Sequence, residues 1–293
     1  MIGGFDTCIT TWGSPRLTWD ILLYSSHCSQ EERLIGRTAA KVMRKGYPVM
    51  MEKPPGMTKE ETLELLKTAR ETGVIHQVAF NRRFMPLVSL LKERLREIPQ
   101  GELQNIFYEF YRYDRRESTF ETTAIHGIDV AKDIVGSDYR QVRFTYQELP
   151  ALGKKVSNIM LECFFENGVY GQIHFCPCTG AVADRVAVNA LDRSFFVETP
   201  IWNGCDVPGR LKEIYRGETV CDHSGDELGW GEELYATNGF FQETRTFLDH
   251  VREGSMCKDD IASALQSVEI AQCIRERRPL YQKGDPQAAV TKG

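Results

Sequence analysis

The chain has no apolar stretch near the roughly 18 to 20 residues a membrane span needs, so no membrane association is expected. It has no basic run either. Its 36 Lys plus Arg against 41 Asp plus Glu leave a formal charge of −5, which argues against a nucleic-acid-binding surface. The opening MIGGFDTCITTWGSP lacks a positive segment followed by an apolar core, so no signal peptide is expected. No Cys-x-x-Cys occurs among the nine cysteines. An odd number of cysteines, scattered through a chain too long to need stapling, suits a reduced cytoplasmic setting. No internal repeat and no low-complexity linker is present. What remains is ordinary for a globular protein: 293 residues, 42% apolar and 26% charged. That length suggests two domains.

The first part of the chain alternates strand and helix. Asp20 to Ser26 is a short apolar run that ends in small polar residues, as in a buried parallel strand opening into a loop. A helix is expected from about Glu31 to Lys45, stopped by Gly46. Tyr47 to Met51 reads as a second buried strand that runs into Glu52-Lys53-Pro54. Thr58-Lys-Glu-Glu61 is a capping box. It opens a helix with Leu63, Leu66 and Ala69 on one face, ended by Gly73. Val74 to Phe80 is a third strand. Residues 20 to 80 thus read β-α-β-α-β, a parallel sheet with covering helices.

The second part has a different character. Helices are expected at Met85 to Glu97 and Thr122 to Ile134, with a long aromatic strand, Leu103 to Tyr113, between them. Strands follow at Gln141 to Tyr146, Asn158 to Phe165, Tyr170 to Cys178, Arg185 to Ala190 and Ser194 to Glu198. Asn167-Gly168 is a strong hairpin signal and Asp192-Arg193 a weaker one, so this sheet should be antiparallel. Two helices close the chain, about Gly239 to Arg252 and Asp259 to Arg277. The second should be capped by Asp259 or Asp260, with Ile261, Leu265, Val268 and Ala271 or Cys273 inward. The expected fold class is a truncated Rossmann-like parallel sheet domain (1–86) followed by an open antiparallel sheet domain with flanking helices (87–283), then a tail (284–293).

Ligands of an open parallel sheet bind beyond the carboxyl ends of its strands. Ser25-Ser26 and Glu52-Lys53-Pro54 both lie at such ends. An amine at the tip of a buried strand is desolvated, which lowers its pKa and suits it to proton exchange near neutrality. The competing reading is a surface lysine that happens to follow a strand. His174, Cys176 and Cys178 alternate on one strand. They are either a zinc set or, more commonly for such a face, part of the core; no metal is expected. Asp222-His223-Ser224 is expected in a polar loop, where sequence alone shows no triad.

The stretch VMMEKPPGMTKEETLELLKTARETGVIHQVAFNRRFMP resembles the glucose–fructose oxidoreductase and inositol dehydrogenase family (Gfo/Idh/MocA): a strand, Glu-Lys-Pro, a helix, a strand, then Asn81-Arg82-Arg83-Phe84-Met85-Pro86. Thr122 to Asp129, with His126 inside, is similar to the family's Asp-x-x-x-His-x-x-Asp helix start. The closing helices GFFQETRTFLDHVREG and DDIASALQSVEIAQCIRERRPL also match. The resemblance covers about residues 20 to 281 in the right order.

It implies hydride transfer between a sugar or polyol carbon and NAD or NADP. In that reading Lys53 and His126 are catalytic. Ser25, Ser26, Glu52, Lys53, Pro54 and Asn81 bind cofactor, and Arg83, Thr122 and Thr123 line the substrate pocket. A homo-oligomer formed through the antiparallel sheet is also implied. Apart from the resemblance, a helix-start histidine packed on the sheet is the favoured reading of His126.

Two departures qualify the match. Thr122 stands where the family often has Asp, so the relay is Lys53 with His126 alone, or is altered. The family's opening Gly-x-Gly-x-x-Gly turn, which cradles pyrophosphate, has no counterpart in the chain. The stretch before Asp20 is too short for a β-α-β unit of roughly 30 residues plus its connection. The expectation is therefore a chain truncated by about 50 residues, with an exposed apolar sheet edge. Another chain then completes the sheet, or cofactor-dependent activity is lost, or the sequence is a fragment. The alternative function is a non-catalytic sugar- or protein-binding relative on a decayed dehydrogenase scaffold. A NAD-dependent glycosidase begins with the same hydride step and is not separable by sequence.

Overall fold

In the computed structural model, the described residues are 9–11, 20–22, 29–99, 101–228, 231 and 233–285. In chain order the elements begin β1 (Ile9–Thr11), β2 (Asp20–Leu22), α1 (Ser29–Met43), β3 (Val49–Glu52), α2 (Lys59–Thr72) and β4 (His76–Ala79). A 3-10 turn, Asn81–Phe84, leads into α3 (Pro86–Arg96), β5 (Leu103–Tyr111) and α4 (Glu121–Val135). Then come β6 (Tyr139–Glu148), β7 (Ser157–Phe165), β8 (Tyr170–Cys176), β9 (Ala183–Ala190), β10 (Arg193–Thr199), β11 (Arg210–Tyr215) and β12 (Glu218–Ser224). The short α5 (Leu234–Thr237), α6 (Phe240–Glu253), α7 (Ile261–Arg275) and β13 (Leu280–Gln282) complete the order.

The chain divides into two compact units, one of Met1–Phe80 with Phe241–Gln272, the other of Asn81–Phe240 with Cys273–Gly293. The first is built on a four-stranded sheet in the order β1-β2-β3-β4. β2, β3 and β4 are parallel, with Val49 to Glu52 in register with His76 to Ala79. β1 runs antiparallel along β2, Ile9 opposite Leu22.

Local chemistry sets the helices of this unit. Thr58 is extended and its Oγ1 accepts the Glu61 N–H, while Gly73, at φ 64°, closes α2 in the left-handed region. The Lys59 N–H donates to Gln272 Oε1 at 2.9 Å, so α7 also caps α2. Phe247, Val251 and Cys257 pack with Met50 in one apolar cluster. One expectation fails here: Leu63 is exposed, and the buried face of α2 is Thr62, Leu65, Leu66, Thr68 and Ala69. Threonines hide that face from a hydrophobicity count. Each satisfies its hydroxyl on the preceding turn: Thr62 Oγ1 donates to Thr58 O, and Thr68 Oγ1 to Glu64 O. In α7, Asp260 is the capping carboxylate, accepting the Ser263 N–H at 2.8 Å. Ile261, Val268, Ala271 and Cys273 are buried, whereas Leu265 is only half-buried.

The second unit is a nine-stranded sheet in the order β12-β11-β10-β9-β5-β8-β7-β6-β13. It is antiparallel except between β5 and β8, which run parallel because β6 and β7 intervene in sequence before β8 returns beside β5. Strict alternation of buried and half-buried residues along β7 and β8 marks one covered face. α4 lies on that face, where Tyr139 Oη donates to Ile128 O at 2.7 Å. Beneath it Phe110 meets Phe120 and Phe175 edge-on. β11, β12 and β13 were not expected. β12 carries no regular alternation, and three of the six residues of RLKEIY in β11 are charged, two of them adjacent.

Candidate active site

In the first unit Glu52 ends β3, and Lys53 follows it at the carboxyl end of the parallel strands, the ligand-binding end of such a sheet. Lys53 is half-buried rather than sealed, Pro54 is buried, and the peptide between them is cis. Ser25 and Ser26 lie outside the described residues.

The second unit carries the remaining residues, and it places three successive side chains of the 3-10 turn on three different partners. Asn81 Nδ2 donates to Asn238 O at 2.9 Å and to Asn238 Oδ1 at 2.5 Å. Arg83 forms a two-pronged bond to Asp129, Nε to Oδ2 and Nη2 to Oδ1, both 2.6 Å. Arg82, pointing elsewhere, donates through Nε to Asp184 Oδ2 at 2.8 Å. The turn thus ties the start of this unit to α4 and to the sheet.

α4 begins at Glu121 without a side-chain cap on its first turn. Thr122 is buried and its hydroxyl returns to Thr119 O, while Thr123 Oγ1 accepts from Arg115 Nη2 at 2.9 Å. His126 is half-buried one turn further on, three residues before Asp129, so both lie on one side of the helix. The Arg83–Asp129 bond therefore fixes the rotation of the helix that carries His126. Arg83 spends its fork on Asp129 and is buried to 6% exposure. Its role visible here is to hold α4.

Sequence reasoning missed a group of buried charges on the covered face. Asp184 on β9 is fully buried and accepts from Arg82, from Arg112 Nη1 at 2.6 Å and from Tyr108 Oη at 3.3 Å. Burial alone would push the Asp184 carboxyl up, but the Arg112 and Arg82 guanidiniums outweigh it and hold the group below the usual carboxylate value. Burial and the Asp184 charge push the Tyr108 phenol well above its ordinary value, so it stays a donor. Arg82 and Asp184 are separated by 102 positions in sequence, and no spacing rule could have joined them. The doubled arginine of Asn-Arg-Arg-Phe was the one visible hint.

Of the other candidates, His174 and Cys176 are half-buried. Cys178 lies past the end of β8, its thiol donating to Arg115 O. Among the described residues no group of His, Cys, Asp and Glu is arranged to hold a metal. Asp222-His223-Ser224 closes β12 instead of lying in a loop, with Asp222 bound by Arg210 and His223 3.5 Å from Glu227. No helix of the described residues is long and apolar enough to cross a membrane.

A parallel strand–helix unit and a large, mostly antiparallel sheet in one chain define a two-unit architecture shared with known proteins. No protein-family model matches the chain. The scyllo-inositol 2-dehydrogenase (NAD(+)) of Bacillus subtilis is 30% identical over 118 residues, 36% of this chain and 34% of that protein. The match therefore spans about a third of that relative's length. Among solved structures, an oxidoreductase domain protein from Kribbella flavida superimposes with a TM-score of 0.71 at 14% identity, covering 87% of this chain and 78% of the other. A levoglucosan dehydrogenase in complex with NADH and levoglucosan gives 0.71 at 17% identity over the same shares. The chain has the fold of the Gfo/Idh/MocA-type oxidoreductases, and its resemblance to them stands on structure as well as on sequence.

Proposed function

We propose that this protein is an NAD(P)-dependent oxidoreductase acting on a hydroxyl-bearing carbon of a sugar, polyol or related compound. The observation that carries the reading is Lys53 at the carboxyl end of a parallel strand, in a chain whose fold and partial sequence match are those of sugar and polyol dehydrogenases. The residues suit the nicotinamide end of a dinucleotide. Glu52, Lys53 and Pro54 follow β3 and Asn81 follows β4, which supplies a half-buried amine and polar groups where such a sheet receives ligands. Bound there, a nicotinamide would supply the hydride acceptor or donor. The chain's own part is the proton: Lys53 takes it from the substrate hydroxyl and His126 assists, while Thr122 and Thr123 border the substrate at the start of α4. The free thiols among the described cysteines support a reducing, cytoplasmic setting.

The open face of the large sheet supports self-association. Register aligns Phe196, Ala187, Phe107, Gln172, Glu162 and Arg143 in one row across six strands. Phe107 is 36% exposed and Phe196 49%, an apolar end to that row that a second copy would cover.

The test is a calorimetric titration with NAD(H) and NADP(H), followed by turnover of Lys53→Met. Saturable binding is expected for at least one cofactor. Loss of general acid–base help should lower turnover by roughly 10²- to 10⁴-fold with cofactor affinity nearly kept. No binding at millimolar cofactor, or turnover indifferent to Lys53, would leave the non-catalytic binding role in its place.

A further inference from the structure

We propose that a groove between α1 and α2, in the first unit, binds the phosphomonoester of a small polyhydroxylated compound, such as a hexose phosphate. The groove encloses about 410 Å³, within the roughly 300 to 1,000 Å³ of small-molecule sites. One wall is cationic, formed by Arg37, Lys41 and Arg44. These stand four and three residues apart, so they share one helix face over roughly 10 Å. The Arg44 N–H still bonds Ala40 O at 3.1 Å, which carries the helical turn past Met43. Like charges at this spacing repel, and from Ile35 to Gly46 the chain has no acidic residue to relieve them. The helix dipole favours Lys41 and Arg44 at the carboxyl end, but it reaches only about one turn, and Arg37 lies beyond it.

The acids across the groove do not answer these cations. The opposite wall holds Glu61, Glu64 and Thr68 of α2. Among the described residues the three cationic side chains form no ion pair, and their one hydrogen bond is Arg44 Nη2 to Thr68 Oγ1 at 3.4 Å. Glu61 is engaged at the start of its own helix, where its Oε2 accepts the Met57 N–H at 2.7 Å. The Glu64 carboxylate has no partner among the described residues. Three positive and two negative groups therefore face each other across a gap without meeting. Small residues keep the gap open, since Gly36 and Ala40 line it one turn apart. Pro55 and Gly56, both buried, close its end. A Cβ on Gly36 would come 2.6 Å from Pro55 O, so α1 rests directly on that backbone.

A matching ligand brings an anion to one wall and hydrogen-bond donors to the other. A phosphomonoester, at about −1.5 to −2 charges, accepts from guanidinium forks, with the Lys41 ammonium as a point charge between them. Hydroxyls on the same molecule donate to the carboxylates of Glu61 and Glu64. Those carboxylates repel a long polyanion such as nucleic acid, which would have to run along the whole cationic face. A neutral sugar leaves the cations unanswered. The groove is separate from Glu52, Lys53 and Pro54, none of which lines it. Pro55 nevertheless follows Lys53 by two positions, so an occupant leans on the backbone that carries the lysine. That last consequence, control of the Lys53 site, rests on the dehydrogenase reading above; binding in the groove does not.

The experiment is calorimetry on the intact protein with D-glucose 6-phosphate, inorganic phosphate and D-glucose. The hexose phosphate should bind saturably and at least ten-fold more tightly than either of the others. The double variant Arg37→Gln, Lys41→Gln should weaken both phosphates at least ten-fold. Both side chains are exposed and repel each other, so the double variant should melt at or above the parent temperature. Glu64→Ala should shrink the preference for hexose phosphate over inorganic phosphate at least three-fold, a ratio from which its effect on charge alone cancels. Lys53→Met should leave hexose phosphate affinity unchanged, and a loss there would place the ligand at the dehydrogenase site and overturn the proposal. No binding, equal affinity for the two phosphates, or affinity indifferent to the double variant would overturn it as well. Saturating hexose phosphate should change the affinity for NAD(H) at least two-fold, and an unchanged affinity would overturn the coupling to Lys53. Hexose phosphate binding without NAD(H) binding would defeat the dehydrogenase reading and leave the groove standing, and the reverse result would defeat the groove alone.

Discussion

At the scale of single residues, the second unit is organised by two buried carboxylates that do different work. Asp129 meets Arg83 with two parallel bonds of 2.6 Å, and the pair orients α4. Removing one member of a buried ion pair typically costs about 3 to 5 kcal/mol. Asp129→Asn should therefore lower the urea midpoint sharply, and a midpoint within error of the parent would show that α4 is held by packing alone. Asp184 gives a pH prediction. Its folded pKa is depressed below the ordinary 3.8 despite burial. Its charge therefore stabilises the fold above the unfolded carboxylate value, and that stability is lost as pH falls through the lower folded value. The urea midpoint of the parent should fall more steeply below about pH 4 than that of Asp184→Asn. Parallel pH profiles would remove Asp184 from the acid response.

Elements depend on how side-chain size and backbone freedom cooperate, and here legibility in sequence was uneven. α2 and the Asn167-Gly168 hairpin were plain because a cap, a stop and a turn are local events; Gly168 sits at φ 89° between β7 and β8. The inward face of α2 was obscured by buried threonines, and β12 by an edge position that needs no alternation. Lys53 and His126 were singled out by motif, whereas Asp184 could emerge only once β9 lay beside β5. α4 shows a constraint no local rule contains. A Cβ on Gly127 would lie 2.8 Å from Phe175 Cε1 and 3.3 Å from Phe110 Cδ2, and both rings are fully buried. Gly127→Ala gains about 1 kcal/mol of helix propensity, but overpacking costs about 1 to 3. Rings enclosed on all sides cannot yield, so the net effect should be a loss of up to about 2 kcal/mol, read from denaturant unfolding. A stabilised variant would show that α4 rides more loosely on the sheet.

At the scale of the whole molecule, the large sheet has one face committed to α4 and the buried charges and another that presents side chains outward. Charged and polar residues such as Glu162, Arg143 and Gln172 occupy one end of the central row and pair among themselves or with neighbours. Phe107 and Phe196 occupy the other, separated by Ala187, whose small side chain leaves a shallow trough between two rings. An apolar pair in a shallow trough is a poor surface for water and a good one for a self-complementary partner, since two-fold association sets each trough against its own image. The parent should therefore elute as a dimer or larger at tens of micromolar in light-scattering chromatography. Phe196→Glu would set a carboxylate at the centre of that contact, and each copy would meet the other's like charge across it. The variant should run as a monomer with an unchanged far-ultraviolet spectrum, because Phe196 is half exposed and contributes little to the interior. A parent that is monomeric at those concentrations, or a variant that still associates, would assign this face to solvent or move the interface to another surface.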